Sequence, residues 1–427
     1  MSNDRAREPR HGPQVVSLGC RLNALEGDVA RERARAAGLD DAIIVNTCGV
    51  TNEAVRQSRQ AARRAVADNP GARVFVTGCA AQMEPAQFAD AAGVAGVLGN
   101  AEKLDADAWR RVAATNASVA VADVMAVRET AAHMTDACGE RARAFLQVQN
   151  GCDHRCTFCV IPYGRGASRA APIDDVIDGA RRLVEAGAAE IVLTGVDMTS
   201  WRGADGAPLG RLVAATLDAV PDLRRLRLSS IDGAEVDDEL RERLEGDARL
   251  APHLHISVQS GDDMVLKRMK RRHTRGDVVD LCGSLRSRRP DFAFGADLIA
   301  GFPTETDAMF DNTLRLVDEA GLDFLHVFPF SPRDGAPAAR MPQVPRNIVK
   351  TRAQRLRAKG AKATNAFLDG LAGQTRDGVV EAGRRARLDN FAIVELADER
   401  ARAGAAARIK IEARDGARLD GSVVETL

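Results

Sequence analysis

The chain has 427 residues, enough for two or three domains that each have a hydrophobic core. Lysine plus arginine (60) equals aspartate plus glutamate (60), so the net charge neither indicates nor excludes a nucleic-acid partner. The charged first ten residues argue against a secretory signal, and no apolar run approaches the roughly 18 residues of a membrane span. Eight cysteines in such a chain predict metal binding in a reducing compartment, by default the cytoplasm, instead of disulfides.

Three short apolar segments near the start of the chain each end in a cysteine. The segments cover residues 14–20, 42–48 and 73–79, end in Cys20, Cys48 and Cys79, and precede predicted helices at 24–37, 51–68 and 85–91. Their β-branched composition is typical of buried parallel strands, which end on one edge of a sheet, where open α/β folds bind ligands. A single free cysteine is most simply a buried, space-filling residue, as we interpret Cys138 and Cys282. Three cysteines at equivalent positions predict a metal site in an N-terminal open parallel α/β domain over residues 12–130.

Three further cysteines, Cys152, Cys156 and Cys159, lie close together in the middle of the chain. A structural zinc ion usually has four protein ligands, and this run supplies only three. A [4Fe–4S] cluster has four irons, so three thiolates leave one iron with an open coordination position. The spacing therefore favours a cluster on which chemistry takes place.

Between residues 138 and 370 strand candidates alternate with helical segments. The six strand candidates cover residues 144–150, 190–194, 226–229, 254–259, 293–299 and 324–330. Repeated βα units predict a parallel sheet, here a partial (β/α)6 barrel, with its active site where the strands end. The small or polar residues at those ends are Gly151, Asp197, Ser230, Ser331 and, as candidate cofactor-binding residues, Gly195, Ser229, Gln259, Ser260 and Asp297. Each residue alone is an ordinary loop residue, but their recurrence predicts a polar cofactor pocket.

Two basic segments are candidates for contacts to RNA. Residues 346–370 form a predicted basic helix, and residues 267–275 form the densest basic run, with Lys270, Arg271 and Arg272 near its centre. Such a run is as typical of a solvated helix end as of a phosphate-binding site. Residues 371–427 contain short β-like runs and one aromatic residue, Phe391, which makes a poor platform for stacking bases.

The second cysteine group resembles the signature of radical S-adenosylmethionine (SAM) enzymes, including the aromatic Phe158 before its last cysteine. The resemblance implies that Cys152, Cys156 and Cys159 hold a [4Fe–4S] cluster whose open iron binds SAM, and that Phe158 and the polar strand ends surround SAM. The sequences around the first three cysteines are similar to the N-terminal domain of methylthiotransferases, which implies a second [4Fe–4S] cluster. The resemblance extends from about residue 14 to the end of the chain.

Within the methylthiotransferases, residues 325–345 and the Thr194-Gly-Val sequence look most like the branch that acts on N6-threonylcarbamoyladenosine in tRNA. One departure is Asp197, where that branch more often has histidine. The C-terminal β segment resembles the small RNA-binding TRAM domain. The resemblance thus implies cytoplasmic methylthiolation of C2 of N6-threonylcarbamoyladenosine-37 in the tRNA anticodon loop, with two [4Fe–4S] clusters and SAM. It also implies an external electron donor such as flavodoxin or ferredoxin, whereas the sulfur donor stays unknown.

Several alternatives stay open at the level of sequence. The same chemistry could act on N6-isopentenyladenosine-37 of tRNA or on an aspartate of a ribosomal protein. A cobalamin-dependent radical SAM methyltransferase is disfavoured, because the front of the chain has no Asp-x-His-x-x-Gly motif and its three cysteines would be unexplained. An RNA-binding protein could use the cysteines for structural metal, which iron and sulfide analysis would distinguish.

Overall fold

The computed structural model describes residues 12–114, 118–127, 142–397 and 401–427. The chain forms two compact units, one of residues 1–135 with 160–167 and the other of residues 136–159 with 168–427. The predicted domain boundaries at 130 and 138, and Cys138 with them, lie outside the described residues. Among the described helices, none is both long and apolar enough to cross a membrane.

The first unit contains a parallel sheet with the strand order β1-β2-β3-β4-β5. The strands are β1 (Gln14–Ser17), β2 (Ile43–Thr47), β3 (Val74–Gly78), β4 (Val94–Leu98) and β5 (Ser118–Ala120). The helices are α1 (Arg21–Ala36), α2 (Asn52–Asp68), α3 (Cys79–Met83), α4 (Pro85–Ala89), α5 (Ala106–Ala114) and α6 (Ile161–Arg165). The three predicted strands and their helices are confirmed, whereas β4 and β5 have no counterpart in the sequence prediction.

Both faces of this sheet are buried, which explains the continuous apolar character of its central strands. In β2, Val45 belongs to the same apolar cluster as Val55 of α2, whereas its neighbour Ile44 packs on the other side with Phe75 and Trp109. The ring centroids of Phe75 and Trp109 are 5.6 Å apart in an edge-on arrangement. Packing on both faces holds the strand ends, and the cysteines that follow them, on a rigid edge.

The second unit contains the predicted parallel strands in chain order, as two sheets ordered β10-β9-β6 and β11-β12-β13-β14. The strands, with the short pair β7 and β8, are β6 (Ala144–Gln147), β7 (Gln149–Asn150), β8 (Arg169–Ala170), β9 (Ile191–Thr194), β10 (Leu226–Leu228), β11 (Ser230–Ile231), β12 (His253–Gln259), β13 (Ala293–Ala300) and β14 (Phe324–Pro329). Only Ser229 separates β10 from β11, so these two strands occupy one position of the predicted six. The partial (β/α)6 arrangement is therefore confirmed.

Helices follow these strands, and four of these helices begin at residues whose side chains cap them. The helices are α7 (Ile173–Glu185), α8 (Leu209–Ala219), α9 (Asp238–Gly246), α10 (Asp263–Met269), α11 (Arg275–Arg288), α12 (Asp307–Glu319) and α13 (Arg346–Asp369). Asp262 caps α10, Thr306 caps α12, and Thr274 forms a capping box with Asp277 at the start of α11. These caps fix where the loops before α10, α11 and α12 end, and the first two of these loops carry the predicted residues Ser260, Lys270, Arg271 and Arg272.

The C-terminal strands close into a small barrel with the order β15-β16-β17-β19-β18. The strands are β15 (Thr375–Glu381), β16 (Arg385–Leu388), β17 (Ile393–Leu396), β18 (Ala406–Asp415) and β19 (Arg418–Thr426). Its core contains Leu388, Val394, Ile409 and Leu419, each 0 % exposed. The predicted all-β domain is thus present, within the same compact unit as the larger sheets.

Phe391 packs inside the second unit. Its ring stacks on His253 of β12 with centroids 4.3 Å apart, and it meets the edge of Phe324 of β14 at 6.0 Å. Nearby, the buried Arg227 forms an ion pair with Glu190 at 2.7 Å and donates to the Leu388 carbonyl at 3.2 Å. Phe391 therefore attaches the small barrel to the larger sheets.

Candidate active site and metal centres

The cysteines of the first unit follow three neighbouring parallel strands, as the sequence predicts. Cys20 precedes α1 directly, Cys48 follows β2, and Cys79 is the first residue of α3. Gly19 has a φ of +93°, and a Cβ at this position would lie 2.9 Å from Cys48 Sγ, so the backbone passes close to that sulfur. Strand pairing of β1 with β2 and of β2 with β3 brings the three cysteines to one edge.

The electrostatics of this group favour a bound cation. Burial, together with the repulsion from the neighbouring Cys79 and Cys20 thiolates, raises the pKa of the Cys48 thiol to about 11. A bound metal removes this repulsion, since thiolate is the form that binds metal. Three soft sulfur ligands fit an iron–sulfur cluster with one open iron.

The distances between the sulfurs distinguish a site for an iron–sulfur cluster from a site for a single metal ion. A tetrahedral zinc ion with bonds of about 2.3 Å needs sulfurs about 3.8 Å apart. The groups of described side chains whose ligand atoms all lie within 4.8 Å of one another include neither complete cysteine triad. In each triad at least one pair of sulfurs is therefore more than 4.8 Å apart, which is too wide for a single tetrahedral ion and is compatible with the larger [4Fe–4S] group.

The second triad is held by backbone hydrogen bonds around Thr157. The Thr157 amide donates to the Met269 carbonyl at 3.1 Å, its carbonyl accepts from Ala338 at 2.8 Å, and its hydroxyl donates to the Arg268 carbonyl at 2.9 Å. Phe158 packs against an apolar cluster that includes Met269 and Phe302. The turn that carries Cys156 and Cys159 is thus fixed to α10 and to the segment after β14.

The three thiols of this triad have unequal surroundings. Burial, followed by the Asp197 carboxylate 3.5 Å from Cys152 Sγ, raises the pKa of Cys152 well above its usual range. Burial acts in the same direction on Cys156, but hydrogen bonds from His154 and Arg271 outweigh it and lower the pKa of Cys156. His154 also lies 3.3 Å from Asp197. Cys156 therefore forms the thiolate that binds metal more readily than Cys152, beside which Asp197 lies.

Of the three predicted RNA-contact residues, Arg271 is placed differently from the prediction. Its side chain is 7 % exposed and contacts Cys156 Sγ at 3.6 Å, an Asp232 oxygen at 2.6 Å and the Ser257 carbonyl at 2.9 Å. This burial does not fit a contact to RNA, because the guanidinium is already used inside the protein. Arg272 is 54 % exposed and pairs with Glu235, and Lys270 is exposed at the left-handed end of α10.

The predicted cofactor-binding residues lie at or near strand ends. Gly195 follows β9, where a Cβ would come within 3.0 Å of Gln149 Oε1, and that oxygen accepts from the amides of Val196 and Asp197. Ser229 lies between β10 and β11. Gln259 ends β12 with a φ of 70°, a strained backbone conformation of the kind that clusters at functional sites. The Ser260 hydroxyl is buried 3.4 Å from Thr313 of α12, so it also connects the loop to that helix.

Asp297 lies inside β13, not at its end, and contacts two histidines that the sequence analysis did not select. Asp297 Oδ1 is 2.9 Å from His255 Nε2 and 3.3 Å from His326 Nδ1. A Cβ on Gly295 would come within 2.5 Å of His255 Nδ1, so this glycine makes room for the ring. The sequence could have indicated His255, since polar His255 and Ser257 alternate with apolar Leu254, Ile256 and Val258 along β12.

Comparisons with known proteins agree with the two-part organisation. Residues 146–317 match the model of the radical SAM superfamily, and residues 13–99 match the uncharacterised protein family UPF0004. The chain is 49 % identical over 386 residues to the threonylcarbamoyladenosine tRNA methylthiotransferase MtaB of Rickettsia prowazekii, covering 90 % of this chain and 91 % of that protein. It belongs to the MtaB branch of the radical SAM methylthiotransferases.

Other methylthiotransferases are similar at lower identity. The MtaB protein of Bacillus subtilis is 37 % identical over 80 % of this chain and 78 % of its own length. The tRNA-2-methylthio-N(6)-dimethylallyladenosine synthase of Erythrobacter litoralis is 36 % identical over 88 % of both chains. A radical SAM methyltransferase structure, TsrM from Kitasatospora setae, matches with a TM-score of 0.53 at 16 % identity over 74 % of this chain and 67 % of that chain, which supports the fold alone.

The methylthiotransferase uses SAM and two [4Fe–4S] clusters. The residues present fit both clusters, because each triad supplies three sulfurs at wider than single-ion spacing and leaves one iron open. His154, Asp232 and Arg271 were not recognised in the sequence as neighbours of the central triad. In the sequence, His154 lies among the cysteines and Arg271 lies in the basic run, whereas the only signal for Asp232 is that it follows a predicted strand.

Proposed function

We propose that this methylthiotransferase replaces the C2 hydrogen of N6-threonylcarbamoyladenosine-37 in tRNA with a methylthio group. The observation that carries the proposal is identity to the Rickettsia MtaB protein of 49 %, compared with 36 % to the dimethylallyladenosine synthase of Erythrobacter. Both alignments cover most of the chain, so the difference is not an effect of partial matching. The presence of both cysteine triads is consistent with this reaction.

We assign Cys152, Cys156 and Cys159 to the cluster that cleaves SAM, and Cys20, Cys48 and Cys79 to the auxiliary cluster. When bound, the first cluster and SAM supply a radical that abstracts hydrogen, and SAM also supplies the methyl group. The candidate SAM-binding residues are Phe158, Gly195, Ser229, Gln259, Ser260 and Asp297. Two of these residues, Gly195 and Phe158, act by fixing the conformation of the backbone around the site. Gly195 allows Gln149 to order the loop after β9, and the packing of the partly buried Phe158 fixes the turn between the last two cysteines.

Nucleoside mass spectrometry tests the substrate. A strain that lacks this gene should accumulate N6-threonylcarbamoyladenosine without its methylthio group, and the wild-type gene should restore the modification. A Cys152→Ala variant should not restore it, whereas the exposed-site variant Arg56→Gln should. If the deletion strain instead loses the methylthio group of isopentenyladenosine, the substrate assignment fails and the second substrate takes its place.

Direct metal analysis tests the enzyme assignment independently of substrate. Anaerobically reconstituted protein should contain about eight irons and eight sulfides per chain, as two cubes require. Zinc at one or two ions per chain, without sulfide, would instead support an RNA-binding protein with structural metal.

We further propose that Lys270, Arg272 and the basic helix α13 contact the tRNA anticodon stem-loop by phosphate contacts. Exposure of Arg272 supports this, although its ion pair with Glu235 must open. Arg272→Glu should weaken tRNA binding and flatten the salt dependence of log K by about one unit of slope. Unchanged affinity and slope would assign this run to a solvated helix end. Because tRNA is the substrate, we place the reaction in the cytoplasm, with a flavodoxin or ferredoxin as electron donor.

A further inference from the structure

The first unit contains three charged side chains that water barely reaches. The side chains of Glu26 and Lys103 are 0 % exposed, and that of Arg165 is 2 % exposed. Glu26 lies between the two cations, since one carboxylate oxygen is 2.6 Å from Lys103 Nζ and the other accepts from Arg165 Nη1. Asn100 accepts from Lys103 at 2.8 Å, and Asn23 accepts from Arg165 at 3.1 Å. Burying three ions is costly, and a stabilising role alone is a weak explanation for it.

This charged group reaches the cysteines of the auxiliary site. Arg165 Nε lies 3.2 Å from Cys79 Sγ, and Asn100 Nδ2 lies 3.7 Å from the same sulfur. The Arg165 guanidinium also interacts electrostatically with Cys20. The planar guanidinium contacts Cys79, Glu26 and Asn23 at once, through Nε, Nη1 and Nη2 respectively.

The net charge of this buried group and the net charge of the auxiliary cluster have opposite signs. Two cations and one carboxylate leave one net positive charge in the buried group. A [4Fe–4S]2+ core with three thiolates carries one net negative charge. The central triad has no such surplus, because Asp232 pairs with Arg271 and Asp197 lies beside Cys152. Net charge and hydrogen bonds to sulfur are two of the means by which a protein adjusts the reduction potential of such a cluster.

We propose that Arg165 and Lys103, bridged by Glu26, are positioning residues that balance the charge of the auxiliary cluster, with Arg165 also orienting Cys79. With the charged group at plus one and the cluster at minus one, the two together are neutral before any further ligand binds to the open iron. The inference rests on the two-cluster assignment of the proposed function, but it does not depend on which substrate is modified.

The test isolates the auxiliary site in the full-length chain. Replacing Cys152, Cys156 and Cys159 together by alanine removes the other cluster, and the midpoint potential is then measured with dithionite and redox mediators by electron paramagnetic resonance. Arg165→Gln removes a positive charge, so at the wild-type midpoint the ratio of reduced to oxidised cluster should fall about tenfold, which corresponds to about 59 mV for one electron. Glu26→Gln removes a negative charge and should raise the same ratio.

Shifts of the midpoint potential in opposite directions for Arg165→Gln and Glu26→Gln distinguish charge balance from structural damage. Damage would shift the potential of both variants in the same direction or remove iron from both. Arg56→Gln, which removes an arginine that is 66 % exposed from the same unit, should leave the potential unchanged.

If Arg165→Gln holds no iron, Lys103→Met and Arg165→Lys replace it: the first should lower the ratio, and the second should retain iron near the wild-type potential. Equal potentials in all variants that load, or iron loss in Arg165→Lys and Lys103→Met alike, would overturn the proposal. The measurement needs no tRNA, so a failed substrate assignment would not affect it.

Discussion

At the residue scale, the two adjacent arginines after α10 differ in burial, and therefore in which groups their charges can contact. Arg271 is 7 % exposed and donates to Cys156 and Asp232, whereas Arg272 is 54 % exposed. Arg271→Gln should leave the buried Asp232 with His273 but without its arginine partner, at a cost of about 1–3 kcal/mol, and should reduce the iron content from about eight to about four per chain. Iron analysis and urea unfolding measure the two effects.

Arg272→Gln is the matched control, since it makes the same chemical change one residue along the chain. Its unfolding free energy should stay within about 0.5 kcal/mol of the wild type, and its iron content should not change. Equal iron content in Arg271→Gln and Arg272→Gln would show that the contact between Arg271 and Cys156 has no role in holding the cluster.

At the element scale, the loop from β1 to α1 depends on a glycine. Gly19 has a φ of +93°, and a side chain there would meet Cys48 Sγ at 2.9 Å. Gly19→Ala should therefore displace the Cys48 sulfur and remove the auxiliary cluster, leaving about four irons per chain. Gly38, with a φ of +77° and nothing within 4 Å of an added Cβ, offers a control with the backbone strain but without the clash.

Gly38→Ala should cost about 1 kcal/mol of stability and keep all of the iron, because only its backbone is strained. Loss of iron from both glycine variants would mean that backbone strain alone disrupts the site. Retention of all iron in Gly19→Ala would mean that the loop adapts to a side chain.

The same elements show what the sequence could predict. The β-branched runs before Cys20, Cys48 and Cys79 identify strands, and parallel pairing then brings the cysteines to one edge without further information. Strand β4 contains alanine and glycine, and β5 covers three residues, so neither has a strong apolar pattern. The ion group around Glu26 was not predicted, because a charged residue in an amphipathic helix is normally interpreted as solvated.

At the scale of the larger unit, Glu190 and Arg227 connect the parallel sheets to the small C-terminal barrel. Glu190 is fully buried, and Arg227 pairs with it while donating to the Leu388 carbonyl of β16. Phe391 reinforces this connection by stacking on His253. The aromatic residue of the small barrel therefore contributes to the attachment of that barrel, and RNA binding must depend on other surfaces.

Glu190 should make the stability of this unit sensitive to acid. Burial alone would raise the pKa of Glu190, but Arg227 and the neighbouring Arg225 and Arg143 outweigh it and lower the pKa from 4.5 to about 2. Because the folded pKa lies below the unfolded one, the stabilisation is complete above pH 4.5. It should be lost as the pH falls from about 4.5 to 2, by up to about 3 kcal/mol.

The stabilisation can be measured on metal-free protein by urea unfolding. Trp201 reports on the larger unit once Trp109 is replaced by phenylalanine, because the chain has no other tryptophan.

At pH 7, Glu190→Gln should lower the unfolding free energy by about 3–5 kcal/mol, since Arg227 loses its buried counter-ion. Its stability should then change less than that of the wild type between pH 5 and pH 3. Glu425→Gln, at a side chain that is 56 % exposed, should follow the wild type at every pH. Parallel pH profiles for wild type and Glu190→Gln would show that this ion pair does not hold the two parts of the unit together.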